Sequence, residues 1–256
     1  MILTSNELDF ALHAVRQASA LVKVVQAELV TPALTKDDRS PVTVADYAAQ
    51  ALIGKLLDER FPDDPLVGEE DSTALRTPEQ AGTLEQIVAF TGRFVPGATP
   101  EAVCRWIDRG SAGSGERYWT VDPVDGTKGF VRGDQYAVAL ALVEGGQVRL
   151  GVLGCPNLDV AHLLPDGGAG MAGGAGTLVA AARGEGAWIA ALDGGEFTRV
   201  RVSDRTDPAQ ARLLRSFETA HTNTGKIGEL VEALGVAAPP VGLDSQAKYA
   251  LLAAGK

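Results

Sequence analysis

Apolar residues between Asn6 and about Val30 recur at three- and four-residue steps: Leu8, Ala11, Leu12, Val15, Ala18, Leu21, Val22, Val25 and Leu29. That spacing predicts one long amphipathic helix, with Thr4 and Glu7 placed as a capping box at its start. A charged loop over 35–41 follows. Ala48, Ala49, Ala51, Leu52, Leu56 and Leu57 then give a second helix over 43–57, opened by Thr43. The run Phe61-Pro62-Asp63-Asp64-Pro65 breaks it before a short strand at 66–68. Residues 73–110 read as two or three helical pieces cut by Pro78, Gly92, Pro96 and Pro100. Strands are expected at 117–121, 136–143 and 148–153, the last two joined by a Gly145-Gly146 hairpin turn. Further strands near 178–182, 187–190 and 198–202 precede helices near 225–234 and 246–254. The mixture is α/β, with a boundary expected between Pro156 and Pro165. The glycine-rich run 166–174 lacks the Lys-Ser/Thr ending of a P-loop and reads as a surface loop.

Composition narrows the class. An apolar fraction of 45% and a charged fraction of 22% belong to a globular chain, not a disordered one. Acidic residues outnumber basic ones 33 to 23, for a net charge of −10, which disfavours nucleic acid and anionic membranes as partners. No apolar run is long enough to cross a bilayer. The 2 cysteines, Cys104 and Cys155, cannot build a disulfide framework. The expectation is a soluble cytoplasmic protein, monomeric or weakly dimeric, with no nucleic-acid or membrane partner.

Candidate chemistry concentrates in Trp119-Thr120-Val121-Asp122-Pro123-Val124-Asp125-Gly126-Thr127-Lys128-Gly129. A β-rich run ends in two carboxylates three apart. Asp122, Asp125 and the intervening Val124 carbonyl are hard oxygen donors suited to Mg²⁺. Gly126 and Thr127 follow as a phosphate seat if they open a helical turn. The same composition also suits an ordinary Asp-Pro-Xaa-Asp-Gly turn. Glu69, Glu70 and Asp71 form a second acidic group after the 66–68 strand, which equally reads as a solvated helix start. Asp46, three residues after Thr43, has a capping role available. The histidines, His13, His162 and His221, lack metal-ligand spacing. Neither a Ser-His-Asp nor a Cys-His arrangement is evident, so covalent catalysis is disfavoured, and carboxylates without His or Cys favour Mg²⁺ over Zn²⁺.

Asp46 in its context, Gly68-Glu69-Glu70, and Asp122-Pro123-Val124-Asp125-Gly126-Thr127 stand in the order and approximate spacing of the inositol monophosphatase-like, lithium-sensitive phosphatases. Ser40-Pro41-Val42-Thr43, the run 127–133, Gly151-Val152-Leu153-Gly154-Cys155-Pro156-Asn157 and Leu243-Asp244-Ser245-Gln246-Ala247-Lys248-Tyr249 resemble the 3′(2′),5′-bisphosphate nucleotidases within that group. The resemblance covers essentially the whole chain. It implies a layered α-β-α-β sandwich of the inositol monophosphatase / sugar phosphatase type, with an α+β domain over 1–157 and a partial α/β domain over 158–256. It also implies Mg²⁺-dependent hydrolysis of adenosine 3′,5′-bisphosphate, and of its 5′-phosphosulfate analogue, by a metal-activated water.

By the same resemblance, Glu69, Asp122, Asp125 and the Val124 carbonyl match metal-ligand positions. Asp46 and Thr127 match the catalytic pair that orients the water. Gly126 and Thr127 match phosphate contacts, and Ser245, Lys248 and His221 match nucleotide contacts. The pattern departs at Thr224, where a second histidine is expected. A later Trp-Asp pair and a substrate-contacting arginine are absent, and the chain ends straight after a predicted helix, so it reads as truncated. The alternatives are an inositol phosphate or sugar bisphosphate phosphatase, or a non-catalytic cation-binding remnant.

Overall fold

A computed structural model describes residues 5–30, 40–159, 175–216 and 224–256. The first helix, α1 (Asn6–Leu29), is capped by Ser5, whose Oγ accepts the Leu8 N–H at 3.1 Å. The cap is therefore one residue later than Thr4, which lies outside the described residues. The second helix, α2 (Ser40–Arg60), starts three residues before Thr43. Pro41 fits its first turn because the N–H it lacks would have had no helical partner there. Thr43 is thus inside the helix, and the capping role foreseen for Asp46 lapses.

Next come β1 (Leu66–Val67), α3 (Ala81–Gly92), α4 (Pro100–Asp108), β2 (Arg117–Asp125), α5 (Thr127–Arg132), β3 (Ala137–Glu144) and β4 (Gln147–Cys155). After them lie β5 (Thr177–Ala182), β6 (Gly186–Ala191), β7 (Thr198–Val200), β8 (Leu214–Arg215), α6 (Thr224–Ala233), β9 (Val241–Gly242) and α7 (Ala247–Ala253). Strands β1 to β7 form one sheet in chain order, parallel only between β1 and β2. The division expected at 157/158 falls between β4 and β5, which are hydrogen-bonded neighbours. A separate parallel pair joins β8 to β9. The glycine-rich run lies outside the described residues.

Alternation along the strands sorts the core into two layers. Val138, Leu140, Leu142, Val152, Leu178 and Ala180 face the buried sides of α1 and α2. Ala137, Cys155, Val179 and Ile189 face the opposite way, onto Ala247, Ala250 and Leu251 of α7. Helices therefore cover both faces of the sheet. At the outer end of β2, Trp119 packs edge-on against Phe10 at 4.9 Å between ring centroids. Its Nε1 donates to Asp64 Oδ2 at 3.0 Å. Arg117 pairs with the same carboxylate at 2.9 Å and with Glu144. That anchor fixes the strand whose other end carries Asp122 and Asp125.

Candidate active site

β2 continues past the expected end at Val121 to Asp125, with an irregularity in between. Asp122 pairs with Ala139 and Asp125 with Ala137, so two residues of β2, Pro123 and Val124, stand opposite the single Val138. In a regular strand, residues three apart point to opposite faces. This bulge returns Asp125 to the face of Asp122, because their partners Ala137 and Ala139 share a face. Pro123 is tolerated at the bulge, where an N–H is least needed. An isolated Asp-Pro-Xaa-Asp-Gly turn is thereby replaced by a sheet feature that aims two carboxylates together.

Gly126 follows in the left-handed region, at φ +92°. A Cβ there would also lie 2.7 Å from the Ser245 Cβ, so glycine serves both the turn and the close approach. Thr127 then opens α5, which meets the condition set for a phosphate seat there, and its side chain is exposed.

Asp46 approaches from α2, and Glu69 and Glu70 from the loop after β1. Asp46 is only 7% exposed. Burial pushes its carboxyl well above the usual range, and the charges of Glu70, Glu69 and Asp122 push it further. Asp122 is pushed up to about 7 by burial first, then by Asp125 and Glu69, against an opposing hydrogen bond from the Val124 N–H. Glu70 is raised by burial, partly offset by the Tyr47 hydroxyl. Asp125 is raised by burial and Asp244, while the Gln246 N–H and the Lys248 ammonium hold it down. Asp46, Glu69, Glu70, Asp122 and Asp125, five carboxylates, thus sense one another across one site. Among the described residues, however, no three acid, imidazole or thiol side chains stand close enough to cage an ion as they are.

The donor set nonetheless fits a hard dication. Asp122 Oδ1 is buried with no hydrogen-bond partner, which is costly for a carboxylate unless a positive charge meets it. Carboxylates that repel one another open outward, and a dication would draw them in.

The second sheet brings the remaining residues. β9 leads into Leu243, Asp244 and Ser245, and Ser245 is the one non-glycine at positive φ among the described residues, at +67°. Its Oγ accepts the Ala247 N–H at 3.1 Å. The next residue, Gln246, donates its N–H to Asp125. Ser245 and Lys248 therefore stand at the acidic turn, while His221 lies outside the described residues. The structure adds groups not singled out from the sequence. Arg132 donates to Asp244 Oδ2 at 2.6 Å, tying α5 to the Ser245 loop. Tyr47 holds Glu70, and Gln50 touches the Glu69 backbone. Arg132 and Asp244 both fall within motifs already noted, which was the available signal.

The sequence profile of the inositol monophosphatase family matches residues 5–256. The chain belongs to the inositol monophosphatase family. A 3′(2′),5′-bisphosphate nucleotidase 1 of Arabidopsis thaliana is 41% identical over 98% of this chain and 75% of its own length. A 3′(2′),5′-bisphosphate nucleotidase of Oryza sativa is 39% identical over 97% of this chain and 73% of its own. CysQ from Bacteroides thetaiotaomicron shares the fold at a TM-score of 0.61 and 20% identity, over 100% of this chain and 79% of that one. The family fold expected from the motifs is the observed one. No described helix is long and apolar enough to cross a membrane.

Proposed function

We propose that this chain is a Mg²⁺-dependent phosphatase that removes the 3′-phosphate of adenosine 3′,5′-bisphosphate, giving AMP and phosphate. The observation that carries the reading is the junction of two groups of residues. The Ser245–Lys248 segment, matched to nucleotide contacts, meets the acidic turn directly through the Gln246 N–H on Asp125 and the Lys248 charge beside it. The relatives bearing that substrate's name are alike over nearly the whole chain.

In this reading Glu69, Asp122, Asp125 and the Val124 carbonyl hold the cation. When bound, Mg²⁺ supplies Lewis acidity toward the phosphoryl oxygens and lowers the pKa of water. Asp46 and Thr127 orient the attacking water. Water attacks phosphorus, the bond to the 3′-oxygen breaks, and the nucleoside oxygen takes a proton as AMP leaves. Gly126 and Thr127 seat the phosphate, and Ser245, Lys248 and His221 face the nucleotide. No side chain is needed as nucleophile. Lithium sensitivity and a cytoplasmic setting belong to the same proposal. The test is phosphate release with MgCl₂, comparing adenosine 3′,5′-bisphosphate with inositol 1-phosphate. The nucleotide should be far the better substrate, and the reverse order would sink the assignment.

A further inference from the structure

One turn beyond Asp46, on the same helix, α2 carries Gln50, whose side chain is fully buried. Its amide is saturated by backbone. Oε1 accepts the N–H groups of Glu69 at 3.1 Å and Glu70 at 3.0 Å. Nε2 donates to the carbonyl of Glu70 at 2.6 Å and of Ile107 at 2.9 Å. The slot is shaped for it on two sides. A Cβ on Gly68 would fall 2.5 Å from Oε1, and a Cβ on Gly110 would fall 2.4 Å from Nε2. Gly68 and Gly110 are themselves joined, N–H to carbonyl, at 2.7 Å.

We infer that Gln50 is the positioning residue of the acidic site, setting where Glu69 stands relative to Asp46. The helix fixes Asp46 directly and Glu69 through this amide, with one helical turn between the two attachments. An amide is required because the slot presents two donors to one atom and two acceptors to the other. A carboxylate at position 50 would set an oxygen against the carbonyls of Glu70 and Ile107 and add a charge beside Glu69. An apolar side chain would leave the acidic loop's backbone groups without partners. The inference rests on the reading that Glu69 holds a divalent cation. It concerns how the loop is aimed, since outer groups that orient a ligand govern metal affinity without touching the metal.

The test titrates MgCl₂ calorimetrically, without substrate, into wild-type protein, Gln50→Glu, Gly110→Ala and Glu69→Gln, with circular dichroism as the check on folding. Gly110→Ala crowds the amide from the α4 side, its Cβ falling 2.4 Å from Nε2 and 3.2 Å from the Gly68 Cα, and changes no residue of the acidic loop itself. Both Gln50→Glu and Gly110→Ala should weaken Mg²⁺ binding about 10- to 100-fold while the far-ultraviolet spectrum is kept. Wild-type affinity in both would overturn the positioning role. Wild-type affinity in Glu69→Gln would instead overturn the cation reading beneath it. A measurement needing no variant decides the matter if the substituted chains do not fold: hydrogen exchange in the wild-type protein. The Glu69 and Glu70 amides, although in a loop, should exchange as slowly as those of β2. Exchange at unprotected rates would refute the clamp.

Discussion

Replacing Asp122 by Asn should make the metal-free protein more stable at alkaline pH while abolishing its response to Mg²⁺. Asp122 is mostly buried, next to Asp125 and Glu69, and its carboxyl is pushed from the ordinary 3.8 up to about 7. Ionising such a group inside the fold at pH 8 costs about 4 kcal/mol, which partial solvent screening brings down to about 2 kcal/mol. The sign follows from linkage. The folded state holds this proton more tightly than the unfolded chain does. The penalty is therefore absent below about pH 3.8, grows as pH rises toward 7, and is complete above it. Asparagine does not ionise. Any packing cost of its amide is the same at every pH, so the pH dependence of the stability difference isolates the charge.

The assay is thermal unfolding in EDTA at pH 5 and pH 8. Because more than a third of the penalty is already in place at pH 5, Asp122→Asn should gain about 2–5 °C relative to wild type on going from the lower to the higher pH, given about 2–4 °C per kcal/mol for a chain of this size. Adding MgCl₂ at pH 8 should then raise the wild-type midpoint by ligand linkage and leave the variant unmoved. A difference that does not change with pH would refute the electrostatic reasoning. An undiminished Mg²⁺ response in the variant would remove Asp122 from the cation site.

Arg132→Met cuts the 2.6 Å link from α5 to Asp244. It should raise KM for adenosine 3′,5′-bisphosphate about tenfold while leaving hydrolysis of p-nitrophenyl phosphate unchanged, as steady-state kinetics would show. Gly54→Ala would place a Cβ 2.2 Å from the Trp106 carbonyl, where α2 meets α4. Urea unfolding should register a loss of about 1–3 kcal/mol. Asp64 is subject to burial, which raises its pKa, but hydrogen bonds from Arg117 and Trp119 prevail and hold it below the usual value. Its contribution is present above about pH 4 and lost as pH falls through the lowered folded value. Asp64→Asn should accordingly destabilise the protein by about 1–3 kcal/mol at pH 7 and by progressively less under acid, read from urea midpoints.

Sequence periodicity carried the helices and strands because α1 buries one face and β3 alternates fully and partly buried positions over most of its length, and such alternation leaves a regular trace. The acidic site was visible through composition, since two short carboxylate runs beside a glycine, Glu69–Asp71 and Asp122–Asp125, together with Asp46 upstream, are unusual enough to be noticed together. Its geometry was not. Whether Asp122 and Asp125 face each other depends on a bulge opposite Val138, and a bulge is a property of two strands in register. The link between Arg132 and Asp244 spans 112 residues, beyond any local pattern. Gln50 was hidden for a different reason. A polar residue in an otherwise apolar helix segment is ordinarily assigned to the surface, and only the backbone it satisfies shows why it is inside.

Those hidden elements share a physical role. Burying Asp46 beside Glu69, Glu70 and Asp122 is unfavourable in itself, as the raised carboxyl pKa values record. Such a cluster persists only where the surrounding fold leaves it no way to relax. The Trp119–Asp64–Arg117 anchor holds the outer end of β2, the bulge fixes the inner end, and the Gln50 amide fixes the facing loop. The bulge and the Gln50 amide act through the backbone, and the ion pair of the anchor lies at the far end of β2, so none depends on the charge of the site's own carboxylates. The site's electrostatic strain therefore need not be balanced locally. The packing of α1 and α2 on the sheet supplies the stability, and the acidic end of β2 is left free for the cation and phosphate of the proposed reaction.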